Sequence, residues 1–481
     1  MKLARMLAGL SYEGRGPLEL DISDIVIDSR KVASGALFVC IPGAKADGHT
    51  YASQAVDMGA AALVVERFID GLYVPQVRVA DSREALARLC AAFHGNPADQ
   101  LSIVGVTGTN GKTTTTYLLK SIFEQNGEKV GLMGTIATMI GDEVLPQALT
   151  TPDPMDFHAT LRQMVEAGCN RVVMEVSAHA LALRKMAGVM FDAAIFTNLT
   201  QDHLDDFKTM ENYSAAKKLL FTDGYARRAV MNADDRAWAA MVEGFHGQVL
   251  TYGAGENAGL CATETDVRPD GCGFRMNYQG WSMPLTLKLS GHFNIYNAMG
   301  AAGAALLLGV SKEAVKAGLE RVETMNGRME RVETGRGFTV IVDYAHTPDS
   351  IENVLKAARV FAQNRVMIVF GCGGDRDRTK RPIMGRLAGE LADYIVLTSD
   401  NPRTEEPESI IDMIEPGLQG CGKPWVRNAD RHAAIGLAIV EARPGDVVII
   451  AGKGHETYQD VMGVKRHFDD REIAREWLSK L

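Results

Sequence analysis

Short apolar runs recur along the chain, separated by stretches long enough for a helix. In residues 1–98 the runs are Ile25–Ile27, Leu37–Ile41, Ala61–Val65 and Val77–Val79, with a helical stretch at Ala52–Met58. They predict a small α/β domain that stops at the turn-forming Gly95-Asn96-Pro97. Residues 99–327 alternate apolar strands with helices. Ser102–Val106, Arg171–Val176, Ala193–Thr197 and Ala229–Asn232 are the strands of an expected parallel sheet. Gly300 to Leu308 reads as a small-residue apolar helix closing that domain, and Met325-Asn326-Gly327 as a hinge. From residue 328 to 481 the rhythm resumes with Phe338–Val342, Val366–Phe370, Tyr394–Thr398 and Val447–Ile450.

Each of these last four runs ends in charged or glycine-rich residues: Asp343-Tyr344-Ala345-His346, Gly371 to Asp377, Asp400-Asn401-Pro402-Arg403, and Ala451-Gly452-Lys453-Gly454-His455-Glu456. Open α/β sheets bind ligands beyond the carboxyl ends of their strands, so the four loops are expected to converge on one site.

The same logic makes residues 105–116 informative. Gly-Val-Thr-Gly-Thr-Asn-Gly-Lys-Thr-Thr-Thr-Thr follows an apolar strand and precedes Tyr117-Leu118-Leu119, so it lies where a strand turns into a helix. Backbone N–H groups there can cradle a polyphosphate, with Lys112 reaching the phosphates and the Thr113 hydroxyl facing a magnesium ion. The strict G-x-x-x-x-G-K-[ST] spacing fails, because its first glycine falls on Val106.

Bulk properties narrow the class. A chain of 481 residues, 46% apolar and 23% charged, is that of a soluble protein with about two to four domains. No apolar stretch reaches membrane-spanning length and the N-terminus carries no signal peptide, so a cytoplasmic location without membrane insertion is expected. Seven scattered cysteines without a Cys-x-x-Cys pair point to reduced thiols. A net charge of −9 argues against nucleic acid as a partner, so anionic substrates must be held by local cationic clusters.

The loop spacing, together with Glu175-Val176-Ser177, Thr197-Asn198-Leu199, Asp202-His203-Leu204-Asp205, Gly291-His292-Phe293-Asn294 and Asn326 to Arg331, closely resembles the Mur ligases, ATP-dependent amino-acid-adding enzymes of peptidoglycan synthesis. Asp28 to Val32 with Asp47-Gly48-His49 resembles the UDP-binding domain of one branch, and Asp400-Asn401-Pro402-Arg403 the signature of diaminopimelate-adding members. The resemblance implies three domains: a UDP-substrate-binding domain at 1–98, a central ATP-binding P-loop domain with a parallel sheet at 99–327, and a Rossmann-like amino-acid-binding domain at 328–481. It also implies a monomer, with three substrates: ATP, UDP-N-acetylmuramoyl-L-alanyl-D-glutamate and meso-2,6-diaminopimelate. The D-glutamate γ-carboxylate would be phosphorylated by ATP and the acyl phosphate attacked by an amine. A lysine-adding or folylpolyglutamate-type ligase is the alternative, set against Arg403 and the N-terminal domain respectively.

Carried over residue by residue, Gly108, Thr109, Asn110, Gly111, Lys112, Thr113, Thr114, Asn297, Arg328, Asp343 and His346 are implied for ATP. Thr113, Glu175, His203 and Lys217 are implied for Mg²⁺, and Lys112, His203, Lys217 and Arg328 for catalysis. Spacing alone makes Lys217 a solvated lysine on an amphipathic helix; the resemblance implies a carbamylated one. Ser29, Thr150, Thr151, Ser177 and either Arg184 or Lys185 are implied for the muramyl substrate, the segment after Ser177 departing from the family pattern at Ala178 and Lys185. Arg376, Asp400, Asn401, Pro402, Arg403, Gly452 and Glu456 are implied for diaminopimelate.

Overall fold

In the computed structural model, which describes residues 1–43, 46–146, 149–255 and 258–481, the apolar runs form three large sheets. The first holds Glu13–Arg15, Gln76–Arg78, Ala62–Val65, Leu37–Val39 and Ile25–Val26 in that spatial order, parallel except for the first. Side chains alternate across it, so Leu37 and Val39 face one apolar cluster and Phe38 the other. The helix Ser82–Phe93 covers one face, its first turn capped by the Asp81 carboxylate, which accepts from the backbone of Arg83 and Glu84.

The central sheet corrects the expectation of a purely parallel one. Seven of its eleven strands are parallel, with the P-loop strand Ser102–Thr107 between Ala193–Phe196 and Arg171–Glu175. Each end is extended by two antiparallel strands, Gly271–Tyr278 with Trp281–Leu287 at one and Thr138–Ile140 with Glu143–Leu145 at the other. These strands are half solvated and alternate apolar with polar residues, so they lack the continuous apolar run of a buried parallel strand. Chain connections diverge to opposite sides of Ser102–Thr107, which opens a crevice above the strand ends where the P-loop lies.

The third sheet runs Glu330–Val332, Thr339–Asp343, Val447–Ala451, Val366–Phe370, Tyr394–Leu397 and Trp425–Arg427, parallel after the first edge strand. The four apolar runs are thus neighbours pointing the same way, and their loops share one edge. Behind that edge Arg431 and Asp470, both fully buried, form a bidentate pair at 2.8 and 2.7 Å. Arg431 also donates to the carbonyls of Ser399 and Ala451, tying two of the loops together. Asp470→Ala leaves this guanidinium buried and unpaired. It is expected to destabilise the domain by about 3–5 kcal/mol, read as a lower urea midpoint for its unfolding transition.

No helix among the described residues is long and apolar enough to cross a membrane.

Candidate active site

The P-loop caps the helix Lys112–Gln125 through Gly111, whose φ of 85° and clearance from Asn297 admit only glycine: a Cβ there would sit 2.3 Å from Asn297 Oδ1. Thr109 and Asn110 brace the loop. The Thr109 backbone N–H donates to the Asn198 carbonyl (2.9 Å), and the Asn110 carbonyl accepts from Thr197 Oγ1 (2.6 Å). Lys112 Nζ donates to the carbonyls of Gly108 and Thr109 at 3.0 and 2.7 Å. Burial pushes its ammonium pKa down, while Glu175 and Asp202 pull it up.

Beside the loop lies a cavity of about 560 Å³, within the range of small-molecule sites. Asn110, Gly111, Thr114, Asn297, Arg328 and Asp343, all among the residues the resemblance implies for ATP, line it. Its far wall comes from the helix Pro348–Phe361 through Asp349, Asn353 and Val360, which sequence reasoning did not single out. The central and C-terminal domains touch across it. Asn110 Nδ2 donates to Asp349 Oδ2 at 2.6 Å, and Arg328 Nη2 donates to Thr113 Oγ1 at 3.1 Å. Asp343 accepts from the Met329 backbone N–H at 2.7 Å, and burial raises its pKa. His346 donates from Nδ1 to the Tyr344 carbonyl (2.7 Å), and its Nε2 lies 4.0 Å from Asp202.

At the inner end Glu175 is fully buried and accepts from the Thr135 backbone N–H (2.7 Å) and hydroxyl (3.0 Å). Lys217 overturns the solvated reading drawn from spacing. It is 1% exposed, donates to the Gly108 carbonyl at 2.7 Å, and its ammonium stands 4.3 Å over the Tyr213 ring. Burial first, then the charge of Lys112, push its pKa well below the usual lysine value. His203 occupies a left-handed φ of 55° at the start of a short helix, and burial holds its pKa down at about 4, so its ring is neutral. One of its nitrogens lies within 4.8 Å of a ligand atom of His179 and one of Asp206. A second domain contact was not anticipated: Lys380, buried on the C-terminal domain, lies 3.4 Å from buried Asp202, and Gln201 donates to Asp377 and Thr379.

Thr151 and Ser177 meet beneath the central strand ends, with Thr151 Oγ1 donating to the Glu175 carbonyl (3.0 Å) and Ser177 capping Ala178–Ala182. Thr150 Oγ1 is 3.0 Å from Thr135 Oγ1. The alternatives left open at 184 and 185 separate in space. Arg184 pairs with Asp81 (2.8 Å) on the N-terminal domain, whereas Lys185 pairs with Asp153 (2.7 Å) and lines a cavity of about 290 Å³ between the two domains. Ile27, Asp28, Lys31 and Arg83 line it too, but Ser29 does not; its hydroxyl turns to Gln54. The Asp47-Gly48-His49 motif is internal scaffolding: His49 is buried, donates from Nδ1 to Asp47 (2.6 Å) and accepts at Nε2 from Glu66 N–H (2.9 Å).

On the C-terminal edge Asn401 Nδ2 donates to Glu456 Oε2 at 2.8 Å. Lys453, buried and unassigned from sequence although it lies inside a quoted loop, reaches Asn401 Oδ1 (3.1 Å) and Glu456 (3.2 Å). Gly452, at φ 118°, allows the Asp400 carboxylate to approach to 2.3 Å of where a Cβ would stand. Arg403 donates to the Gly374 carbonyl at 2.7 Å, and Pro402 packs buried against Gly374. Arg376 is exposed on the same loop cluster, bonded only to the neighbouring Asp375 carbonyl.

Comparison with known proteins agrees with this arrangement. Three family descriptions match in order: "Mur ligase family, catalytic domain" over residues 21–94, "Mur ligase middle domain" over 106–305, and "Mur ligase, glutamate ligase domain" over 327–454. UDP-N-acetylmuramoyl-L-alanyl-D-glutamate–2,6-diaminopimelate ligases from Caldanaerobacter subterraneus subsp. tengcongensis and Geobacillus kaustophilus are 45% and 46% identical to it. The matches cover 100% and 99% of this chain, and 99% of each relative. A solved structure of a ligase of that name is 30% identical with a TM-score of 0.71, covering 100% of this chain and 99% of its own. MurF from Thermotoga maritima in complex with ADP, 19% identical with a TM-score of 0.62 over 95% of this chain and 97% of its own, shares the fold.

Proposed function

The chain belongs to the Mur ligase family, and on that premise we propose that it joins meso-2,6-diaminopimelate to the D-glutamate γ-carboxylate of UDP-N-acetylmuramoyl-L-alanyl-D-glutamate, using ATP. The observation that carries the reading is the meeting of two half-sites. The P-loop of the central domain and the strand-end loops of the C-terminal domain face one cleft, held by Asn110–Asp349, Arg328–Thr113 and Asp202–Lys380. A carboxylate and a triphosphate must approach each other there, and their repulsion is the main obstacle to reaction. Lys112 and Arg328 place fixed positive charge where the anions converge, in a partly buried site where each contact is stronger than in bulk water.

The large cavity would take the nucleoside of ATP, and Thr150, Thr151 and Ser177 would receive the peptide end of the muramyl substrate. Lys185, Lys31 and Arg83 would line the path to the UDP end in the smaller cavity. Asn401, Arg403, Gly452 and Glu456 would hold diaminopimelate.

The donor set fits Mg²⁺. Glu175 offers carboxylate oxygens, each able to accept beyond its one bond to Thr135, Thr113 offers a hydroxyl, and neutral His203 an imidazole. A carbamate on Lys217 would add a further oxygen ligand. When bound, the metal would neutralise phosphate charge between the reacting groups.

Phosphate release measured with each substrate omitted in turn tests the proposal. Release is expected only when ATP, the muramyl dipeptide and diaminopimelate are all present. ATP hydrolysis indifferent to the muramyl substrate would instead mark a nucleotide-driven regulator.

A further inference from the structure

Of the three domain contacts named above, Asn110–Asp349 and Arg328–Thr113 lie at the nucleotide cavity and the P-loop. The third, Lys380–Asp202, starts from an element that also holds the amino-acid loops. We infer that Lys380 is a positioning residue, tying the arrangement of those loops to the Asp202–His203 turn of the phosphate half, an inference that rests on the ligase reading.

The helix Lys380–Leu391 opens on two adjacent buried cations with different partners. Arg381, fully buried, serves its own domain. Its guanidinium donates to both Glu405 oxygens, at 3.0 and 2.8 Å, and to the Gly373 carbonyl at 3.3 Å. Glu405 also accepts from the Asp375 backbone N–H at 2.6 Å, and the Gly374 N–H donates to the Asn401 carbonyl at 2.9 Å. The loops carrying Arg376, Asn401 and Arg403 are thus fastened to the first turn of this helix.

Lys380 crosses the seam. It is 4% exposed, and its Nζ lies 3.4 Å from Oδ1 of Asp202, itself 6% exposed. The same oxygen accepts from the His203 backbone N–H at 2.9 Å, and Oδ2 lies 3.4 Å from His203 Nε2. Asp202 therefore stands between an ammonium from one domain and, on the other, a histidine suited to Mg²⁺. Its neighbour extends the grip. Gln201 donates to Asp377 Oδ2 at 3.1 Å and to Thr379 Oγ1 at 2.9 Å, and Asp377 Oδ1 accepts from the Thr379 N–H at 2.8 Å.

A buried ion pair adds little net stability while intact, but parting it strands a carboxylate without compensation. Such a pair favours the joined arrangement over any shifted one. When the amino-acid loops settle on their ligand, Arg381 moves with them and carries the adjacent Lys380. Two ligands that each favour the joined arrangement then bind more tightly together than apart, and the gain is reciprocal.

Calorimetry on the full chain tests this. Diaminopimelate is titrated into enzyme saturated with muramyl dipeptide, with and without a non-hydrolysable ATP analogue and Mg²⁺. In the unaltered enzyme the analogue is expected to tighten diaminopimelate binding by about 10-fold, within the usual span for coupled sites. Lys380→Met should cut that gain to about two-fold or less, with the affinity measured without nucleotide unchanged within about two-fold. The same loss should appear when the analogue is titrated with and without diaminopimelate. Gln201→Leu, which loosens the same contact without emptying a buried site, should lose part of the gain and keeps the test decisive where Lys380→Met does not fold. Full tightening in the variants would overturn the inference. So would an equal loss of affinity with and without nucleotide, which marks a role confined to the amino-acid domain, or an unaltered enzyme that shows no tightening. The ligase reading survives each of these if the unaltered enzyme still forms the amide. An unaltered enzyme that neither binds diaminopimelate nor forms product would overturn both.

Discussion

Lys217→Ala is expected to reduce turnover by about 10³-fold, and added formate or acetate to restore part of it. The magnitude is that of removing one preorganised charge-stabilising group from a desolvated site. The argument begins with burial. Among the described residues no carboxylate lies within hydrogen-bonding range of Lys217; it contacts the Gly108 carbonyl and the face of Tyr213, with burial and the Lys112 charge outweighing the opposing pull of Asp202. An ammonium in that position is destabilised, which favours the neutral amine that is nucleophilic towards CO₂. Forming the N–C bond and losing a proton turns a repelled cation into an anion that faces Lys112 and lies within reach of the phosphate loop. A small carboxylate diffusing into the space left by alanine restores that negative charge. Lys217→Arg should stay inactive under the same conditions, because a guanidinium remains charged and cannot be carbamylated. The sign of the pH dependence follows: acid protonates the amine and releases CO₂, so incubation at low pH in CO₂-free buffer should silence the enzyme and bicarbonate at neutral pH should revive it. Native mass spectrometry without a CO₂ adduct, together with no rescue by carboxylates, would remove the carbamate from the site.

The part of this site that was legible in the sequence lies on buried parallel strands. Val366–Phe370 and Val447–Ala451 are apolar on both faces, so they read as continuous runs, and whatever follows them must lie at a strand end. Asn401, Gly452 and Glu456 could be placed on one edge for that reason alone. The antiparallel extensions of the central sheet were not legible, because a half-solvated strand such as Trp281–Leu287 exposes every second residue and carries no continuous apolar run. Nor was the burial of Lys217, which depends on Gly108 arriving from a segment 109 residues away. Asp202 was noticed but its partner was not: Lys380 sits on a different domain, and no local spacing links them. Nor was the setting of His49, whose two ring nitrogens are bonded to Asp47 and to the Glu66 backbone 17 residues on.

Arg403→Ala is expected to erase most of the preference for diaminopimelate over lysine, lowering the ratio of their kcat/KM values by about 10–100-fold, equivalent to about 1–3 kcal/mol. The two amino acids differ by one carboxylate, so discrimination requires a group that is satisfied by that carboxylate and left wanting without it. Arg403 meets the geometric condition. Its backbone is pinned at a φ of 51° by bonds on both sides to the hairpin of Tyr458–Val461 and Val464–His467, its N–H donating to Asp460 and its carbonyl accepting from Met462. The one side-chain bond, to the Gly374 carbonyl, occupies a single donor and leaves most of the guanidinium fork to grip a carboxylate through two parallel bonds. Because the side chain is only partly buried, an unpaired Arg403 keeps some hydration, which places the penalty for lysine in the lower kilocalories and not beyond. Arg403→Lys keeps the charge but loses the fork, so it should fall between the unaltered enzyme and the alanine variant. The change should appear in the KM for diaminopimelate and leave the KM for ATP nearly unmoved, since the Arg403 loop does not line the cavity beside the P-loop. Competition assays with both amino acids measure the ratio directly, and equal use of lysine and diaminopimelate by the unaltered enzyme would take the second carboxylate away from Arg403.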